Sequence, residues 1–213
     1  MNLSNIEKFH VKDVYECIAY SFDISRIKLW DPVKNFINSL NPNSLVLDAG
    51  CGNGKNMLIR NDINIIGFDS CVNLINICHK KQLNVFVCDI KNIQLKSNTY
   101  DSIICIAVIG HIFKENDRIK AINELIRVVN KDGIVFIQCW GINALKIDKT
   151  KNKYTKINDN NDYFVSFGND KGIKRYYHLF TNEDLTSLLK KCNCEIINIF
   201  FDPTGIYGLI KKI

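Results

Sequence analysis

No apolar run in this 213-residue chain approaches the roughly 20 residues a helix needs to cross a bilayer, so no membrane span is expected. The opening stretch, MNLSNIEKFH, lacks the basic-then-apolar pattern of a secretion signal. The expected address is therefore cytoplasmic, with the nucleus as the second choice. Paired C-x-x-C units of the kind zinc sites use are missing too. The nearest approach, Cys192-x-Cys194, has the wrong spacing and no second pair, so no metal is expected. The nine cysteines are odd in number, and Cys88, Cys105 and Cys139 sit inside apolar runs, where reduced cysteine acts as a small buried hydrophobe. There is no internal repeat and no obvious acid–base dyad.

What is present suits one globular domain: 46% of residues are hydrophobic and 23% charged. Lysine and arginine exceed aspartate and glutamate by 28 to 22, a mildly basic balance that a polyanionic partner would tolerate and that does not require one. Lysine, asparagine and isoleucine are used heavily throughout, so single lysine runs carry little weight.

Phe9, Val14, Ile18 and Phe22, with Tyr15 and Ala19 beside them, follow helical spacing. A second helix is expected near Asp31-Pro32, with aspartate as its cap and proline in its first turn. Strand-like runs follow at 44–48 (SLVLD), 63–68, 85–88, 102–106 and 134–140, separated by helix-like segments at about 54–60, 72–80 and 117–129. Strands alternating with helices at this spacing predict an α/β fold with a doubly wound parallel sheet. From 142 to 172 lysine, asparagine and aspartate dominate, which predicts a loop. Order is expected to return at 173–180, with a helix at 183–191 capped by Thr181 or Asn182, and strands at 195–201 and 207–210.

The strongest local signal is Asp48-Ala-Gly50-Cys51-Gly52-Asn-Gly54-Lys55, directly after the first strand. Glycines there permit a tight turn and a close approach of ligand to backbone. A dinucleotide G-x-G-x-x-G would need glycine where Lys55 stands, and a P-loop would need an upstream glycine and a following hydroxyl. Asp69 ends the second strand and Asp89 the third. One acid alone reads as a turn cap; three features at three successive strand ends read as a site.

The D-x-G-x-G-x-G turn resembles the cofactor loop of class I methyltransferases. That resemblance implies a Rossmann-like, seven-stranded, mostly parallel sheet with helices on both faces, and S-adenosylmethionine as cofactor. It assigns cofactor contacts to Asp48, Gly50, Cys51, Gly52 and Gly54, to Asp69 with Ser70 (ribose hydroxyls), to Asp89 with Ile90 (adenine), and to Ala107.

Further segments are more specific. Glu7-x-Phe9-His10-Val11, Val14-Tyr15, Ile18-Ala19, Ser25-Arg26-x-Lys28-x-Trp30, Ala107-Val108-Ile109-Gly110-His111, Trp140 and Arg175-Tyr176-Tyr177-His178 resemble the eukaryotic tRNA wobble-uridine carboxymethyl methyltransferases over nearly the whole chain outside 142–172. That family methylates the carboxylate of 5-carboxymethyluridine to the methyl ester. A carboxylate is ionised at neutral pH, so no strong base is required. The resemblance puts His111 above the transferring methyl. It makes Arg26 and Arg175 candidates for holding the carboxylate or phosphates, and Tyr177 and His178 candidates for stacking on or hydrogen-bonding the base. Tyr176 reads as the buried member of an alternating strand, and Trp30 as core or substrate wall equally. Five lysines between 146 and 156 read as a solvated loop rather than a phosphate contact.

The resemblance divides one domain, 1–213, into a helical cap at 1–43, a cofactor core at 44–140, a variable basic loop at 141–172 and a substrate element with the last strands at 173–213. It implies two partners: a tRNA anticodon stem-loop, and a small zinc-binding activator protein forming a heterodimer. The activator would add a strand to the edge bounded by Asn84 and Cys88 (NVFVC), which predicts poor solubility without it. Two departures stand out. Family members usually show two adjacent histidines where this chain has Gly110-His111, and 201–213 matches less clearly. Two rivals remain open: a class I methyltransferase acting on ribosomal RNA or a small molecule, and a catalytically silent scaffold.

Overall fold

Short apolar runs rich in isoleucine and valine build the main sheet. In chain order these are β1 (Leu45–Ala49), β2 (Asn64–Asp69), β3 (Val85–Val87), β4 (Tyr100–Ile106) and β5 (Val129–Cys139). The computed structural model describes residues 5–147, 153–168, 170–203 and 205–213. A second group comprises β6 (Tyr154–Lys156), β7 (Asp162–Phe167) and β8 (Asp170–His178); the chain then closes with β9 (Cys194–Asp202) and β10 (Gly205–Lys212). The main sheet has the order β3-β2-β1-β4-β5-β10-β9, with β10 antiparallel to both its neighbours and the other pairings parallel. Strand order reverses at β1, and in such sheets ligands bind outside the carboxyl ends of the strands at that switch point.

The helices are α1 (Asp13–Ser25), α2 (Asp31–Ser39), α3 (Val72–Lys80), α4 (Glu115–Val128), α5 (Ala144–Ile147) and α6 (Asn182–Lys190), with a π-helical turn at Lys8–Lys12 leading into α1. The larger apolar core joins α4 and α6 to the sheet through Ile103, Ile122, Leu125, Ile137, Leu185 and Leu189. The other face carries α2, where Phe36 stacks on Phe136 at 4.7 Å and Phe200 on Tyr207 at 5.0 Å. Thr181 caps α6 by accepting from the Asp184 amide, and the Asp184 carboxylate returns the bond to the Thr181 amide.

Three expectations need correction. Asp31 does not cap α2: it is the first helical residue, Trp30 takes the cap position without a side-chain bond, and Pro32 lies in the first turn. The helix expected at 54–60 is a single 3₁₀ turn, Lys55–Leu58. Beyond it Arg60 Nη1 donates to the carbonyls of Ile37 and Leu40, so the chain leaves its helical path to cap the end of α2. The loop expected at 142–172 contains α5 and an antiparallel sheet, β6-β7-β8. Residues 148–152, within the lysine-rich stretch, lie outside the described residues.

The small sheet is fastened to α4 by a buried ionic cluster. Asp162 on β7 accepts from Tyr176 Oη at 2.6 Å and pairs with His178 Nδ1 at 2.9 Å, both on β8. Arg118 of α4 lies 3.8 Å from the same carboxylate and donates to Tyr176 Oη at 3.2 Å. Removing one member of a buried pair leaves its partner charged and desolvated. Asp162→Ala is therefore expected to destabilise the fold by about 3–5 kcal/mol, read as a lower midpoint in urea unfolding.

Candidate active site

The turn after β1 is shaped by what a side chain would strike. Gly50 has φ +79°, and a Cβ there would lie 2.3 Å from Val108 Cγ2; Gly54 has φ +76°, and a Cβ there would lie 2.2 Å from Leu83 Cδ1. Gly52 shares the left-handed backbone. The amides of Gly50 and Cys51 donate to the Phe68 carbonyl at 2.8 Å each, which locks the turn to β2. The turn forms one wall of a cleft of about 680 Å³ along the carboxyl ends of the strands, within the range of small-molecule sites.

The three acids occupy different positions. Asp48 is fully buried behind the turn rather than on the cleft wall, and neither of its oxygens makes a hydrogen bond of ordinary geometry. Burial raises its pKa to about 7; nearby Asp69 adds to the rise, while Asn56 and Lys55 oppose it. Asp69 lines the cleft, and each of its oxygens accepts one backbone amide, Oδ2 from Gly52 at 3.0 Å and Oδ1 from Cys71 at 2.9 Å. A carboxylate has about four acceptor positions, so lone pairs remain for two hydroxyls. Asp89 accepts from the Lys91 amide at 2.9 Å and lies 3.8 Å from Lys12 Nζ. Cys51, Ser70, Ile90 and Ala107 also border the cleft.

The N-terminal segment roofs this half. Glu16 of α1 accepts from the amides of Val72 and Asn73, capping α3 from outside its own sequence. Asp23 accepts from Asn53 Nδ2 at 3.0 Å and Lys81 Nζ at 2.6 Å, pinning the end of α1 to the glycine turn. Glu7 joins Lys91 at 2.7 Å and accepts the Phe113 amide at 2.9 Å.

The other half is aromatic and basic. Trp30 and Trp140 meet edge to face at 5.5 Å, and Trp140 and Tyr177 at 6.5 Å. Arg26 borders the cleft and lies over the Phe22 and Phe167 rings at 5.7 and 5.9 Å. Arg175 is only 4% exposed, lies over Phe167 and Tyr177, and among the described residues has no carboxylate partner. His111 is also on the wall; burial holds its pKa at about 3, the Tyr176 carbonyl opposing that and Arg175 adding to it, so the ring is neutral.

Alternation along β8 therefore divides the Arg-Tyr-Tyr-His element. Arg175 and Tyr177 face the cleft, while Tyr176 and His178 face Asp162. The structure does not bring His178 into the site, and its assignment to the base is corrected to a structural hydrogen bond with Asp162. Tyr15, Phe22, Lys153, Tyr154 and Val165 border the cleft and were not singled out as site residues. Tyr15 was read as one more member of a helix face. Tyr154 and Val165 stand on strands hidden in the polar stretch; for Val165 the apolar run DYFVSF was the available signal.

The match to known proteins agrees with this geometry. Residues 47–137 match the methyltransferase domain family. A tRNA (carboxymethyluridine(34)-5-O)-methyltransferase of Xenopus tropicalis is 38% identical over 73% of this chain and 25% of its own length. Its namesake in Schizosaccharomyces pombe is 29% identical over 97% of both chains. The chain spans about a quarter to a third of the first curated relatives it matches. An S-adenosylmethionine-dependent methyltransferase of Clostridium acetobutylicum superposes with TM-score 0.68 at 17% identity, over 93% of this chain and 98% of that one. A solved complex of the Haloferax volcanii Trm112 methyltransferase activator with a methyltransferase gives TM-score 0.69 at 10% identity, over 94% and 97%. Strand order, glycine turn and acids are those of the class I, S-adenosylmethionine-dependent methyltransferases. Within that class the chain is similar to the tRNA carboxymethyluridine methyltransferases.

The residues fit the cofactor. The Gly50 turn lies against Val108 too closely for a Cβ, and behind it the buried Asp48 carboxyl, with Asn56 and Lys55 as its neighbours, favours a ligand carrying sulfonium and ammonium charge. A carboxyl with pKa about 7 in the free protein must ionise as a cation binds, so its proton is released on binding. S-adenosylmethionine affinity is therefore expected to rise by about 15-fold in all between about pH 5.5 and 7. Asp48→Asn is expected to lower affinity and flatten that slope, as read by calorimetry.

Proposed function

We propose that this chain transfers a methyl group from S-adenosylmethionine to the carboxylate of 5-carboxymethyluridine at the wobble position of tRNA, forming the methyl ester. Relatives bearing that name support the reading. The observation that carries it is Arg175: a buried guanidinium on the cleft wall, bonded among the described residues only to phenol hydroxyls, is suited to an incoming carboxylate. When bound, the cofactor supplies an electrophilic sulfonium methyl. One carboxylate oxygen forms the new C–O bond as the methyl–sulfur bond breaks, and no proton need move. A neutral His111 with both ring nitrogens engaged agrees with chemistry that uses no base. Attack of an anion on a cation disperses charge, so the apolar walls formed by Trp30, Trp140 and Tyr177 favour it by excluding water. The base would stack on these rings, with Arg26 at the mouth reaching phosphate.

Gly110, where the family usually has histidine, is what keeps the silent-scaffold reading open. A Cβ at that position would lie 2.9 Å from the His178 carbonyl oxygen, so glycine is what lets β8 approach the turn that carries His111. This is a packing solution in which a histidine does not fit, and it gives no sign of decay.

A small zinc-binding activator is proposed at the β3 edge. The strand has one neighbour, is three residues long, and leaves Val87 51% exposed. The related fold solved with an activator supports this choice.

The test is transfer of tritium from methyl-labelled cofactor to tRNA bearing 5-carboxymethyluridine, with unmodified tRNA alongside and the activator co-expressed. Label on the carboxymethylated tRNA alone, released by mild base, is the expected result. Label on unmodified tRNA, or base-stable label, would reject the reading. Arg175→Met is expected to lower kcat/KM by about 3 kcal/mol, roughly 100-fold, with cofactor affinity retained.

A further inference from the structure

Four hydrogen bonds run in sequence through the substrate half of the cleft. Arg175 Nη1 donates to the Tyr177 hydroxyl at 3.0 Å. The Tyr177 and Tyr15 hydroxyls are 3.3 Å apart, and Arg175 Nη1 is 3.5 Å from the latter. The Tyr15 hydroxyl is 2.9 Å from His111 Nε2, and His111 Nδ1 is 2.8 Å from the Tyr176 carbonyl oxygen. Both ends have fixed polarity, because a guanidinium only donates and a carbonyl only accepts. The ring proton of His111 must then be on Nδ1, which makes Nε2 the acceptor of the Tyr15 proton. With its proton used, Tyr15 must accept from Tyr177, and Tyr177 from Arg175. Every proton in the chain points from Arg175 toward Tyr176.

We infer that Tyr15 is a positioning residue for methyl transfer: as the middle link it fixes the ring of His111 beside the cleft and keeps Arg175 on the wall proposed to receive the carboxylate. The inference rests on the proposed substrate. A proton added to His111 would set Nε2–H against the Tyr15 O–H and force the chain to reverse. The groups facing the ring are Tyr15 from α1 and Arg175 and Tyr177 from β8; Arg175 alone is cationic, and its charge opposes a second cation. Glu7, which reaches the neighbouring Phe113 amide, is already paired with Lys91. An imidazolium here would add to Arg175 and to the cofactor's own positive charge, raising the cost of binding the cofactor. Tyr15 comes from the same helix whose Glu16 and Asp23 secure the cofactor turn, so one element sets both halves.

Tyr15→Phe removes the hydroxyl and keeps the ring that packs on Phe22 at 5.4 Å and His111 at 5.2 Å. The first measurement is ¹⁵N NMR of His111 in the wild-type protein saturated with S-adenosylhomocysteine. Protonated Nδ1 and bare Nε2 are expected across neutral pH; the opposite tautomer, or an imidazolium, overturns the proposal without any variant. The second compares Tyr15→Phe with wild type on carboxymethylated tRNA with the activator present. In the variant the bare Nε2 of His111 loses its donor, so its ¹⁵N resonance should move from the wild-type position, and kcat should fall about tenfold or more while S-adenosylmethionine affinity is retained. An unmoved Nε2 resonance in Tyr15→Phe, or a kcat within about twofold of wild type, overturns the proposal. Absence of transfer by wild type would reject the substrate and leave the NMR arms to decide the role of Tyr15.

Discussion

Burying a guanidinium removes it from water at a cost of several kcal/mol, which proteins usually offset with a carboxylate. Arg175 instead sits between two phenols and the faces of Phe167 and Tyr177. Cation–π contact and two neutral acceptors offset only part of that cost, each contributing on the order of 1–2 kcal/mol. On the proposed function, the remainder is held in the fold as affinity for an anion. Around this constraint the substrate half is arranged: Tyr177 and Tyr15 turn their oxygens toward Arg175, His111 turns its bare nitrogen toward Tyr15, and the Tyr176 carbonyl ends the chain.

The strand that carries Arg175 must itself be fixed. β8 does so through its other face, where Tyr176 and His178 reach Asp162 and, through it, Arg118 of α4. Gly110 lets the backbone at His178 approach the turn bearing His111. The small antiparallel sheet is thus tied to the large one by a buried ionic cluster on one face, and presents its cleft residues from the other. The cofactor half relies on a different arrangement, in which backbone amides of the glycine turn and of α3 are satisfied by Asp69 and Glu16. α1 is common to both, which ties the order of the cofactor turn to the placement of Tyr15.

Much of this was legible from residue order. β1, β2 and β4 are apolar runs ended by turns, α3 begins and ends where its periodicity does, and the three acids follow three strand ends. What escaped was set by tertiary partners. The 3₁₀ turn at Lys55–Leu58 stops because Arg60 is drawn to carbonyls of α2, which no local pattern encodes. The small sheet was concealed because asparagine, aspartate and lysine flank DYFVSF, so composition read as loop while the six residues inside it are all buried. His178 was misplaced because a motif in sequence was taken as a cluster in space; on a strand, alternation sends neighbours to opposite faces. Tyr15 looked like a helix-face residue, and only the position of His111, 96 residues away, gives its hydroxyl a task.

The central claim is that this cleft is built to receive an anion beside a neutral histidine. The most direct measurement is the affinity of an anticodon stem-loop carrying 5-carboxymethyluridine for the protein saturated with S-adenosylhomocysteine, compared with the same stem-loop carrying the uncharged carbamoylmethyl analogue. The account predicts that the acid binds at least about tenfold more tightly, as expected for a buried charge-assisted pair worth 1.5 kcal/mol or more. Equal affinity for acid and amide would contradict it, because Arg175 would then be buried for some purpose other than reading a carboxylate.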